Sequence, residues 1–99
     1  MKKLDVNNFD EFINSDEKVM VKFGASWCSP CVAMEPVLES VSEKYPDRVA
    51  DVDIMSNKEL TERFGIRNIP ATIFFKNGEE VNRKSGIIEF KTIESLLVD

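Results

Sequence analysis

The chain has 99 residues, 42% of them apolar and 31% charged, with 13 Lys and Arg against 18 Asp and Glu, a net charge of −5, two cysteines and no histidine. That size and balance suit one globular domain over residues 1–99 and exclude a disordered chain or a disulfide-rich secreted scaffold. The acidic surplus disfavours nucleic acid and anionic membranes as partners, and the missing imidazoles remove His-assisted nucleophiles and His metal ligands.

The opening MKKLDVNNFD has two lysines but no apolar stretch behind them. It does not read as a signal peptide, and the expected location is cytoplasmic. Phe9, Phe12 and Ile13 recur at i, i+3, i+4 and predict a short helix near residues 7–14. Val19 to Ala25 is nearly all apolar, as in a strand covered on both faces. From Ser29 to about Lys44 the apolar positions Met34, Val37, Leu38 and Val41 predict an amphipathic helix. Pro30 fits its first turn, whereas Pro36 removes a backbone donor inside it and is expected to kink it.

Arg48 to Ile54 reads as a second apolar strand. Ser56 and Glu59 have capping-box spacing ahead of a helix at 57–64 that stops at Gly65, with Leu60 and Phe64 on its core face. Asn77-Gly78 between Ala71–Lys76 and Glu80–Ser85 predicts a tight β-hairpin. Glu89 to Val98 closes the chain as a helix through Phe90, Ile93 and Leu97. The order β-α-β-α-β-β-α, preceded by an extra helix, predicts an α/β fold with a central mixed sheet flanked by helices on both faces.

The chemistry falls on Cys28-Ser29-Pro30-Cys31, at the junction of a strand and a helix. A zinc site there lacks ligands, since a closed site takes four. Cys28 is expected at the helix N-terminus, where unpaired N–H groups and the helix dipole stabilise a thiolate. Cys31, one turn on, can reach Cys28 but faces protein more than solvent. Cys28 therefore reads as the nucleophile that forms a mixed disulfide, and Cys31 as the residue that resolves it. The competing readings are a structural disulfide or an accidental pair. A four-residue loop gains only about 2 kcal/mol from closure, so it is a weak staple.

The segment VKFGASWCSPC, Pro36 five residues after Cys31, FGIRNIPATIFFKNGE and Gly86 together resemble the thioredoxin family, in order and spacing, from Phe9 to Leu97. The resemblance implies the thioredoxin fold and a protein-disulfide reductase with no bound cofactor. It further implies a monomer that is recharged by thioredoxin reductase and acts on protein disulfide substrates. It also implies a cis Ile69-Pro70 bond facing the cysteines, where the residues alone read as an ordinary trans proline beginning a strand. Trp27, Pro30, Ile69, Pro70, Gly86 and Ile87 would then form a shallow docking surface, with an extended substrate pairing along the backbone of Ile69. The rival functions are an isomerase or oxidant of the same fold, or a redox-inactive interaction subunit.

The chain departs from the family pattern in three places. Ser29 replaces the usual Gly between the cysteines and either donates toward the Cys28 thiolate or caps the helix. Gly24 stands where a second Trp is common, which predicts looser packing beneath the site. Lys22 occupies the place of a buried Asp, and Asp51 the place of its Lys partner, so the resemblance implies an exchanged Lys22–Asp51 pair tuning Cys31. The alternative is that Lys22 snorkels to solvent.

Overall fold

The computed structural model describes residues 1–98. Along the chain run β1 (Lys2–Lys3), α1 (Phe9–Ile13), β2 (Val19–Gly24), α2 (Ser29–Lys44), β3 (Val49–Asp53), α3 (Lys58–Arg63), β4 (Ala71–Lys76), β5 (Glu79–Ser85) and α4 (Phe90–Val98). The five strands form one sheet in the order β1-β3-β2-β4-β5. β3 pairs in parallel with both β1 and β2, while β4 runs antiparallel to β2 and to β5.

The two-residue side-chain period divides each inner strand between two cores. Val19, Val21 and Phe23 of β2, Ala50 and Val52 of β3, and Ala71, Ile73 and Phe75 of β4 pack against Phe9 and Ile13 of α1 and Leu60 of α3. Phe9 meets Phe75 edge to face, with ring centroids 5.8 Å apart. The opposite face carries Met20, Val49 and Phe74 against Met34, Leu38 and Val41 of α2 and Ile93 and Leu97 of α4. The same alternation puts Lys22, Gly24, Asp51 and Thr72 on the α2 side of the sheet.

Most expected elements are present, with ends moved by one or two residues. The Asn77-Gly78 turn has φ of 54° and 82°, the left-handed pair that a tight hairpin requires. Gly65, at φ 60°, follows α3 as expected. α2 passes through Pro36 without ending. Two features differ. The capping box at Ser56 does not form: the residue preceding α3 is Asn57, and no side chain caps the helix. β1 was not anticipated, because two exposed lysines carry no apolar pattern.

Candidate redox site

Cys28 and Cys31 sit where β2 hands over to α2 and are joined as a disulfide, with Cα atoms 5.2 Å apart. Cys28 is the N-cap of α2, in extended backbone conformation, and Pro30 lies in the first turn. The cap is the sulfur itself, since the Cys31 N–H donates to Cys28 Sγ at 3.3 Å. Ser29, one of the two caps expected from sequence, is exposed and makes no side-chain hydrogen bond among the described residues. Cys28 is 6% exposed and Cys31 1%, an asymmetry that leaves the first sulfur nearer solvent. Ala25, Ile54 and Ile69 pack around the pair.

The Ile69-Pro70 peptide is cis. The Ile69 carbonyl lies 3.9 Å from Cys28 Sγ. Gly86, at φ 82°, donates its N–H to the Pro70 carbonyl at 2.8 Å, which holds the loop after β5 beside the proline. Trp27 (65% exposed) and Ile87 (56% exposed) are large apolar side chains left open to solvent. Pro30 is exposed and Ile69 half-buried.

The polar residues beneath the site are arranged differently from the sequence expectation. Lys22 and Asp51 are cross-strand register neighbours, yet they form no ion pair. Asp51 Oδ2 instead accepts from Lys3 Nζ at 3.0 Å, because β1 delivers a third, unanticipated strand to that edge. Lys22 does not snorkel either. It is 5% exposed, and its Nζ donates to the Cys31 carbonyl at 3.4 Å.

Gly24 explains how a lysine fits there. A Cβ on Gly24 would lie 2.8 Å from Lys22 Cε, 3.0 Å from Cys31 Sγ and 3.3 Å from Cys31 Cβ. The space that a side chain at position 24 would take is therefore filled by the Lys22 stem and Cys31. Two buried oxygens, Asp51 Oδ1 and Thr72 Oγ1, have no hydrogen-bond partner among the described residues. They belong to the residues paired with Lys22 on either side. Sequence reading missed Thr72 and the Gly24 approach; the two-residue alternation of β2 and β4 was the available signal.

A family model described as Thioredoxin matches residues 1–99. The chain is 40% identical over 94 residues to a thioredoxin of Alicyclobacillus acidocaldarius subsp. acidocaldarius, covering 93% of this chain and 90% of that one. A thioredoxin of Porphyra purpurea is 36% identical over 95 residues, covering 94% and 89%. The X-ray structure of Fasciola hepatica thioredoxin superposes with a TM-score of 0.88 at 31% identity, covering 97% of this chain and 96% of that one.

Proposed function

The chain belongs to the thioredoxin family, and from that premise we propose how its own residues carry out thioredoxin-type reduction of protein disulfides. The Cys28 thiolate attacks one sulfur of the substrate disulfide, and the substrate's other sulfur leaves as a thiolate. Cys31 Sγ then attacks Cys28 Sγ, closing the internal disulfide and releasing the second substrate thiolate. Two electrons pass from the cysteine pair to the substrate, and the two thiolates take protons from water. A reductase of the thioredoxin reductase type returns the electrons.

The observation that carries this assignment is the capping geometry. The α2 N-terminus points the Cys31 N–H at Cys28 Sγ. A charge-assisted bond to that atom favours its ionised form. Trp27, Pro30, Ile69, Gly86 and Ile87 form the docking surface over the buried Pro70, and an extended substrate segment adds along the Ile69 backbone. A shallow, partly apolar surface suits varied protein segments better than one small molecule. The domain works as a monomer over residues 1–99, in the cytoplasm; among the described residues no helix is long and apolar enough to cross a membrane.

Insulin reduction tests the roles. Cys28→Ser is expected to abolish turnover and to form no mixed disulfide. Cys31→Ser is expected to abolish turnover but trap the substrate on Cys28. A trapped adduct on Cys31 in the Cys28→Ser protein would reverse the assignment.

A further inference from the structure

Lys22 is the one titratable side chain among the described residues that is more than nine-tenths buried and outside the disulfide. Its setting is unusual for an internal lysine. The acid paired with it in register is engaged by Lys3, so no carboxylate neutralises it directly. The flanking buried oxygens, Asp51 Oδ1 and Thr72 Oγ1, do not bond to it. Its Nζ donates instead to the carbonyl of Cys31.

Lys22 Cε and Cys31 Sγ both lie within 3.0 Å of the point a Gly24 Cβ would occupy. The two atoms are thus at most about 6 Å apart; the ammonium, one bond beyond Cε and donating to the carbonyl of the same cysteine, is therefore a near neighbour of that sulfur and biases its ionisation. Lys3 of β1, Asp51 and Asp53 of β3, and Glu35 of α2 line the same cavity of about 150 Å³ beside Lys22 and Gly24. Asp53 and Glu35 are exposed, so water screens them, and Lys3 offsets Asp51.

We propose that Lys22, admitted beside the redox pair by the missing side chain of Gly24, is a positioning residue whose ammonium stabilises the Cys31 thiolate for resolution of the mixed disulfide. Once Cys28 is bound in the mixed disulfide and carries no charge, the Cys31 proton passes to solvent and its thiolate is held ready to attack, so the resolving step needs no separate base. Cys31 S⁻ forms the bond to Cys28 Sγ, the Cys28–substrate bond breaks, and the leaving thiolate takes a proton from solvent. This inference rests on the disulfide-exchange reading above.

Stopped-flow reaction of the fully reduced protein with dithiobis(nitrobenzoate) separates the two steps, because Cys28 attack and Cys31 resolution each release one coloured thiolate. The second phase is followed against pH in the parent, in Lys22→Met, which removes the charge and keeps a long stem, and in Gly24→Ala, which keeps the charge and displaces it. Both variants are expected to raise the midpoint of the second phase by about 1–3 pH units, hence to slow it about tenfold or more below that midpoint. Equal midpoints in all three proteins overturn the proposal, and so does a second phase that slows without a shifted midpoint, which would mark a packing effect. Thermal melts of the reduced proteins confirm that the variants compared are folded. A first phase no faster than that of Cys28→Ser would instead defeat the underlying disulfide-exchange reading.

Discussion

Replacing Gly24 by Ala tests the packing beneath the redox pair. Gly24 lies in β2 and does not have positive φ, so alanine is compatible with its backbone. On that ground alone the change would stabilise the fold by about 0.4–1 kcal/mol, through a less flexible unfolded chain. The new methyl would instead meet Lys22 Cε at 2.8 Å and Cys31 Sγ at 3.0 Å. Comfortable carbon contacts begin near 3.5 Å, and forcing a methyl into a packed interior costs about 1–3 kcal/mol. The steric term wins, giving a net loss of about 1–2 kcal/mol. Urea unfolding of the oxidised protein reads this as a lower midpoint with an unchanged slope. In a Lys22→Ala background the 2.8 Å contact is gone and only the Cys31 contacts remain, so the same substitution is expected to cost at least about 0.5 kcal/mol less. A Gly24→Ala protein more stable than the parent, or a cost identical in both backgrounds, would refute the packing described here.

Other expectations follow from the remaining contacts. Arg48 donates to the Lys18 carbonyl at 2.9 Å and the Leu97 carbonyl at 2.8 Å, tying β3 to the ends of β2 and α4. Arg48→Met is expected to cost about 1.5–3 kcal/mol in urea unfolding, the range for bonds to a charged donor; a loss below about 0.5 kcal/mol would deny the tie. Hydrogen bonds from Lys44 and then from Tyr45 hold the Glu94 carboxyl below its ordinary pKa. A group lowered in this way stabilises the fold above its unfolded pKa of about 4.3, and that contribution disappears as pH falls through the folded value. Glu94→Gln should accordingly flatten the acid limb of the stability–pH curve, whereas an unchanged limb would show that the Lys44–Tyr45–Glu94 cluster does not couple to folding. Trp27, the only tryptophan, precedes Cys28, and its fluorescence should change when the disulfide is reduced; an identical spectrum in both redox forms would separate it from the site.

The sequence made the sheet and its two cores legible because apolar alternation in β2, β3 and β4 and the helical spacing of Met34, Leu38 and Val41 survive any change of neighbour. Asn77-Gly78 was equally readable, since its left-handed turn depends on two residues alone. The cysteine pair carried its own placement, because a strand end followed by Pro30 positions Cys28 as a cap. What escaped depended on third parties. The family resemblance implied that Lys22 and Asp51 are neighbours, but the partner of Asp51 came from β1, which has no side-chain pattern. The space at Gly24 looked empty because composition says nothing of how far a lysine two residues earlier can fold back. Ser56 and Glu59 had the spacing of a capping box, yet the helix begins one residue later than that box requires.

Alkylation by iodoacetamide across pH reads whether the α2 N-terminus makes Cys28 Sγ an ionised nucleophile near neutral pH. The measurement uses the reduced Cys31→Ser protein, which retains the backbone N–H that points at Cys28 Sγ. The expected midpoint lies clearly below the free-cysteine value of about 8.5. A midpoint at or above that value would mean that the helix N-terminus does not activate Cys28.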